Sequence, residues 1–453
     1  MGTSISVKAD AMSNAARHHD VPSPDVPFKI FAGSTAVGLI HAFDDALVHR
    51  QPGVPLTQHL WALLAVVVIA GPVVVLFRRM RTGLQSAVAL IFGAVTVTNG
   101  SMHALHLAVD DVSGSDVSGI LAATAGAVLI VLSAVLPFLH RGERLEPPLR
   151  RWPKRVLVTT VTAAFMSLAV LPILVGIGQT HLFRSPIGEP PDSSYEEVTF
   201  PSSDGLRLAG WYRPSRNGAA IVVVSGAGGD RRGSVEHARM LAKHGYGVLL
   251  YDARGSGESE GSLNGYGWGR DQDVAGALTF LSTRPEVDPE RVGGLGLSRG
   301  ADVLIEVAAS DSRLAAVVGD GATARSLADI PPGEKSAVLW MAPVLATASV
   351  LSGTWPGPPL EELAAEVSPT PLLLIATGSL DGEMLLNEVY AGAARPPVDL
   401  WVLPEAHHTA AIRDQAVAYE RRVIGHFDTA LLGSENGGGE REVERVRRDG
   451  ASR

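Results

Sequence analysis

At 453 residues the chain exceeds one ordinary domain, and 46% hydrophobic content with a positive mean hydropathy is high for a wholly soluble enzyme. It contains no cysteine, which excludes disulfides, thiolate zinc sites and a cysteine nucleophile. A formal net charge of -9 argues against nucleic acid as a general partner, because phosphate backbones are bound by basic faces.

Residues 1–27 are polar, with Pro22, Pro24 and Pro27 near their end, and read as a disordered leader without the shape of a signal peptide. Residues 28–180 read as an all-α transmembrane bundle of about five apolar stretches, at 28–48, 59–77, 84–108, 117–139 and 156–178. Each approaches the roughly 20 residues a helix needs to cross a bilayer. The second is the clearest, since Trp61 to Phe77 carries no charge, whereas Asp44 and Asp45 shorten the first, so the count is four or five. Basic residues set the orientation: Arg78, Arg79 and Arg81 follow the second stretch, and Arg141, Arg144, Arg150, Arg151, Lys154 and Arg155 follow the fourth. The loop between them, Asp110 to Ser118, is acidic. Those basic exits therefore face the cytoplasm, and the region beyond Gly178 is expected outside it, making this a multi-pass cell-membrane protein.

A short pattern repeats within this region: His41-Ala-Phe-Asp44-Asp45 ends the first stretch, and His103-Ala-Leu-His106 followed by Asp110 and Asp111 ends the third. The repeat reads as a duplicated helix pair. On a helix, His41, Asp44 and Asp45 share one face, as do His103, His106 and Asp110. Catalysis further along requires no metal, but these clusters are candidates for a metal or proton site; the alternative is helix ends meeting water.

Residues 181–194, with Pro186, Pro190 and Pro191, form a linker. Beyond it, β-rich runs alternate with helix-length segments, predicting an α/β domain over 195–432 with a doubly wound, mostly parallel, eight-stranded sheet. Strands are expected near 196–200, 206–212, 220–224, 247–251, 292–297, 315–319, 371–377 and 398–403. Residues 322–368 exceed an ordinary connection and form an insertion that caps the sheet. Its Trp340, Met341 and Trp355 either line an apolar substrate pocket, pack the cap's own core or rest on the bilayer. The stretch 433–453 is Gly-rich and charged, and reads as a disordered tail.

Between the fifth strand and the following helix stands Gly296-Leu297-Ser298-Arg299-Gly300, a G-x-S-x-G elbow. Its glycines let the serine occupy a strained turn that lifts the hydroxyl clear of the sheet. A serine nucleophile needs a base, a carboxylate to orient the base, and donors for the oxyanion. After the seventh strand comes Gly378-Ser-Leu-Asp381, and after the eighth Pro404-Glu-Ala-His407-His408-Thr409. The order Ser298, Asp381, His408 is the one expected of a doubly wound hydrolase. His408, immediately before a helix-starting Thr409, is preferred to His407 as base, and Asp399 and Asp320 are the alternative acids. The oxyanion hole is expected from the backbone N–H groups of Arg299 and of Ala227, in the small-residue loop Ser225-Gly226-Ala227-Gly228-Gly229. A phosphate cradle is the competing reading of that loop, but G-x-G-x-x-G spacing and a Walker lysine are lacking. The Arg299 side chain either orients an anionic substrate or serves the helix start.

With these residues in place, the chain resembles the alpha/beta-hydrolase superfamily, particularly its serine-aminopeptidase-like and acyl-peptidase-like esterase branch. The resemblance spans about 195–432 and includes Tyr251-Asp252-Ala-Arg254-Gly255-Ser-Gly257-Glu-Ser259-Glu-Gly261, similar to the branch's D-x-R-G-x-G-x-S-x-G loop, for which it implies a structural role. The run from Asp273 through Val287-Asp288-Pro289-Glu290-Arg291-Val292 resembles its approach to the nucleophile. Ser225 stands where the family often has histidine, and Ala301 where glycine is common. Together with the apolar stretches of 28–180, the resemblance implies a cofactor-free, membrane-anchored serine hydrolase acting on a small-molecule or lipid ester, thioester or amide. A peptidase of the same fold is the first alternative. An idle hydrolase-fold sensor or accessory domain on a transport or metal-handling bundle is the second.

Overall fold

The computed structural model describes residues 25–49, 56–106, 114–139, 164, 168, 171–180, 184, 187–331, 333–380 and 382–433. Most of the expected leader, most of the fifth apolar stretch, part of the linker and the tail beyond 433 lie outside these residues, as do Asp110 and Asp381. The chain divides into two compact units, Met1–Arg50 with Pro55–Met166, and Gln51–Val54 with Ser167–Arg453.

The first unit is helical. Helix α1 (Asp25–Phe43) widens into a π-turn at Asp44–Val48, and α2 (Leu56–Leu76), α3 (Thr82–His106) and α4 (Gly114–Leu139) follow. By length and composition, Asp25–Val48, Thr82–Ser101 and Asp116–Pro137 are able to cross a membrane. Glycines set the α3–α4 seam: a Cβ on Gly100 would stand 2.3 Å from the Gly119 carbonyl, and one on Gly126 would stand 2.7 Å from the Val97 nitrogen. Small residues of this kind let helices approach closely, which is how apolar helices associate where lipid removes the hydrophobic drive. Phe31 stacks on Phe77 at 4.0 Å within the unit's apolar core.

The second unit begins with α5 (Leu171–Gly178) and contains all eight strands. In chain order these elements are β1 (Glu196–Pro201), β2 (Arg207–Arg213), β3 (Ala220–Val224), α6 (Val235–Lys243), β4 (Gly247–Tyr251) and α7 (Asp271–Ser282). Then come β5 (Val292–Leu297), α8 (Arg299–Ala308), β6 (Ala316–Asp320), α9 (Lys335–Ser352) and α10 (Leu360–Glu366). The last are β7 (Leu372–Thr377), α11 (Glu383–Ala393), β8 (Val398–Leu403), α12 (Ala411–Asp414) and α13 (Ala416–Phe427). All eight strands lie where the sequence places them, within a residue. The sheet order is β1-β2-β4-β3-β5-β6-β7-β8, antiparallel at β1–β2 and β2–β4 and parallel from β4 to β8.

Strand β3 reads Ala-Ile-Val-Val-Val because a central parallel strand is covered on both faces. Val222 and Val224 enter one core cluster and Ile221 and Val223 the other, as the two-residue period of a strand requires. Burial of each such side chain contributes about 1.5–3 kcal/mol, which makes this strand a rigid platform for the loop at its carboxyl end.

The expected cap contains α9 and α10. Trp340 and Met341 pack beside a buried cluster of Tyr266, Trp268, Val344, Leu345 and Ala348, with Val175 of α5 against it, while Trp355 is exposed. A Cβ on Gly176 would stand 2.6 Å from the Val344 carbonyl, so α5 and α9 meet at backbone distance. The end of the expected fifth span thus packs on the cap. Lys335–Ser352 is itself long and apolar enough to cross a membrane, a property not expected of this insertion.

Candidate active site

Ser298 joins β5 to α8 with φ 52 and ψ −118, a conformation costly for a residue with a side chain. The flanking glycines are required by contact rather than by flexibility. A Cβ on Gly296 would lie 2.3 Å from the Gly300 carbonyl, and one on Gly300 would lie 2.1 Å from the carbonyl of Val224. Neither neighbour is a movable side chain. The Ser298 amide donates to Asp320 at 2.7 Å, tying the elbow to the end of β6.

His408 Nε2 stands 2.9 Å from Ser298 Oγ, and its Nδ1 stands 2.6 Å from Glu383 Oε2. With the carboxylate accepting from Nδ1–H, Nε2 presents its lone pair to the serine hydroxyl, the tautomer a general base needs. Glu383 is 1% exposed, and its other oxygen, Oε1, accepts from the Thr377 amide at 2.7 Å and the Thr377 hydroxyl at 2.9 Å. The His408 amide donates to Ser379 Oγ at 2.6 Å. Following His408, Thr409 takes φ 54.

The expected acid, Asp381, lies outside the described residues. Among those described, the carboxylate in contact with His408 is Glu383, two residues on. Gly382 adopts φ 80 and opens α11, so Glu383 is the first residue of a helix leading away from the end of β7. Its longer side chain reaches back under the imidazole. The sequence signal was present as a glycine followed by a glutamate at a helix start, but nothing in the spacing separated it from Asp381.

The alternatives resolve as follows. His407 is exposed and bonded through Nδ1 to Asp414 at 3.0 Å. Asp399, the exposed residue of the half-buried β8, pairs with Arg422. Asp320 is fully buried and accepts from the Tyr419 hydroxyl at 2.9 Å. Burial, followed by the nearby Glu383 charge, pushes its carboxyl up to about 7, against the lowering effect of the Tyr419 bond.

The oxyanion loop lies against the nucleophile, since a Cβ on Gly226 would meet Ser298 Cβ at 3.3 Å. Ser225, at the position where the resemblance leads one to expect histidine, closes the loop by donating its hydroxyl to the Gly229 carbonyl at 3.2 Å. Arg270, which the sequence reading missed, is fully buried and donates from Nη1 to the Gly226 carbonyl at 3.2 Å. Its guanidinium pKa is lowered, chiefly by burial. The Arg299 side chain donates to Asp302 and to the Ala324 carbonyl and lies over Tyr266. That engagement matches the structural reading of this arginine.

The D-x-R-G loop is structural, as the resemblance implies. Asp252 accepts from the amides of Arg231 and Glu258, while Arg254 donates through Nε and its own amide to the buried Asp273. Gly255 and Gly257 take φ 74 and φ 44.

In sheet order, the elbow after β5 and the histidine after β8, this chain is a member of the alpha/beta-hydrolase superfamily, a family of hydrolases. Residues 193–346 match the family described as X-Pro dipeptidyl-peptidase (S15 family). An uncharacterized protein of Mycobacterium tuberculosis (strain CDC 1551 / Oshkosh) is 30% identical over 291 residues, covering 62% of this chain and 98% of the relative. The thiohydrolase aneE of Aspergillus aculeatus is 34% identical over 131 residues, 28% of this chain and 41% of that protein. Among solved structures, the Pyrococcus furiosus esterase Pf2001 matches 55% of this chain and 97% of its own, at 22% identity and TM-score 0.44.

Proposed function

We propose that the protein is a membrane-anchored serine hydrolase that cleaves an ester, thioester or amide through an acyl-enzyme. The observation that carries this reading is the hydrogen-bonded line Ser298–His408–Glu383 at the strained elbow. Ser298 Oγ attacks the carbonyl carbon as His408 Nε2 takes its proton. Glu383 holds the ring and balances the imidazolium, and the amides of Ala227 and Arg299 receive the oxyanion. Collapse expels the leaving group with the proton from His408. Water, activated by the same base, then releases the acyl group and restores Ser298. The residues require no cofactor for this sequence.

A fluorophosphonate probe on the full-length chain tests the reading. Covalent labelling of the native protein and none of Ser298→Ala is expected; equal labelling of both, or of neither, overturns it. Esterase-like chemistry is preferred because, among the described residues, no charged cluster for a peptide terminus accompanies Ser298. The S15 family match favours the peptidase alternative over the span it covers, 193–346. Side-by-side turnover of p-nitrophenyl acyl esters and an X-Pro anilide decides between them: faster kcat/KM on the anilide selects the peptidase.

The apolar helices of the first unit and the arginine-rich segments between them support a multi-pass anchor with the hydrolase unit outside the cytoplasm. Because the chain has no cysteine, Ser193→Cys supplies a unique label site at an exposed position. An impermeant maleimide should modify it in intact cells. Modification only after lysis reverses the orientation.

A further inference from the structure

The His/Asp pattern at the end of α1 plays no part in the hydrolase chemistry, yet the structure gathers it closely. One ligand atom from each of His41, Asp44 and Asp45 lies within 4.8 Å of the others. His41 is 1% exposed and sits in the apolar segment Asp25–Val48, where an ionisable side chain is costly. The helix widens into its π-turn at Asp44, a distortion common at functional sites and one that brings both carboxylates toward the imidazole.

Hydrogen bonding orders the protons. Ser118 Oγ donates to Asp44 Oδ2 at 2.5 Å, so toward His41 Nδ1, 3.0 Å away, that oxygen acts as acceptor. His41 therefore carries a proton on Nδ1, and Nε2 is the nitrogen that faces Asp45 Oδ2, at 3.4 Å. With Nε2 deprotonated, as metal binding requires, this nitrogen and the carboxylate are two electron-pair donors that one cation can bridge. With zinc bonds of about 2.0–2.2 Å in tetrahedral array, adjacent ligand atoms stand roughly 3.3 Å apart, which matches this separation. An imidazole whose second nitrogen is fixed by an oxygen is the usual arrangement around such ions, and here Ser118 supplies that oxygen.

The repeated pattern falls at the same end of this unit. Gly100 of α3 packs on the Gly119 carbonyl of α4, next to Ser118, and His103 follows Gly100 by three residues on α3. The loop segment with Asp110 and Asp111 lies outside the described residues.

We propose that this end of the helical unit binds a divalent transition metal of the zinc class, with His41 Nε2, Asp45 and Asp44 as ligands. Imidazole with carboxylate suits zinc or iron better than calcium or magnesium. The site is independent of the Ser298 chemistry.

The test uses the untagged full-length chain in detergent, stripped with chelator, loaded with zinc, gel-filtered and analysed by mass spectrometry. About one zinc per chain is expected in the wild type, with loss in His41→Ala and Asp45→Asn and retention in His407→Ala. A wild type holding no stoichiometric zinc overturns the proposal, whatever the variants do, and so does either ligand variant holding as much as the wild type. Cobalt(II) loading of the wild type gives a second readout that needs no variant. Intense visible bands of a four-coordinate ion support the site, and the weak spectrum of the aqueous ion overturns it.

Discussion

Replacing Glu383 with glutamine separates the two candidate acids with a single isosteric change. Oε1 of Glu383 accepts from both the amide and the hydroxyl of Thr377, at 2.7 and 2.9 Å, so the glutamine carbonyl is held on that side. The NH2 group must then occupy the Oε2 position, 2.6 Å from His408 Nδ1. A donor there forces the ring into the tautomer with its proton on Nε2, facing Ser298, and an imidazole so arranged cannot accept the serine proton. Loss of the charge adds to this: a carboxylate about 4 Å from the imidazolium contributes on the order of 4 kcal/mol at an effective dielectric near 20. Together these predict a fall in kcat of about 10⁴, equivalent to roughly 5.5 kcal/mol of barrier, with KM changed little. Turnover of a p-nitrophenyl ester, normalised to sites titrated before assay, measures it. Asp381→Asn should stay within about threefold of wild type. If Asp381→Asn instead loses about a thousandfold while Glu383→Gln remains within tenfold, the assignment of the orienting carboxylate is wrong.

His408→Ala should abolish turnover to within the background left by the oxyanion hole, whereas His407→Ala, at an exposed side chain, should retain kcat within about threefold; comparable losses would refute the choice of base. Gly300→Ala places a Cβ 2.1 Å from the Val224 carbonyl, so it should destabilise the hydrolase unit by about 3 kcal/mol or more, read as a lower urea midpoint. Asp320, pushed up to about 7, keeps its proton in the folded state while the unfolded chain releases it near 3.8. Its contribution to stability is therefore complete below pH 4, is lost as pH rises toward 7, and is flat above that. The span amounts to about 4 kcal/mol. Asp320→Asn removes this slope, so its stability relative to wild type should improve between pH 4.5 and pH 8; an unchanged difference refutes the raised carboxyl.

The sheet was legible because its strands advertise themselves. Ala220 to Val224 and Leu372 to Thr377 are unbroken buried runs between turn residues, and both glycines of G-x-S-x-G stand where backbone crowding forbids side chains. The base was legible because His408 directly follows the last strand's turn. The glutamate was not, since Asp381 and Glu383 both follow β7 in sequence, and the approach of Glu383 to the imidazole follows from Gly382, at φ 80, opening α11. Backbone handedness at one glycine carries no mark in residue spacing. Arg270 was missed for a related reason: it lies between recognisable motifs, and its bond to Gly226 depends on how the chain from 262 to 270 folds back beneath the oxyanion loop.

The geometry around His408 explains why the glutamate's extra length fits here. The ring is fixed from its backbone side, by the bond to Ser379 and the left-handed Thr409, and from below by Gly321, where a Cβ would stand 2.7 Å from Cε1 and 2.9 Å from Nδ1. Those constraints set the imidazole before any carboxylate is considered, so the acid must come to the ring. A side chain starting from the first residue of α11, anchored on Thr377 by one oxygen, crosses that gap with the other. The alignment of Ser298, His408 and Glu383 thus rests on three backbone features, at Ser298, Gly321 and Gly382. None is a polar contact with substrate, and each is enforced by the packed ends of β5, β6 and β7.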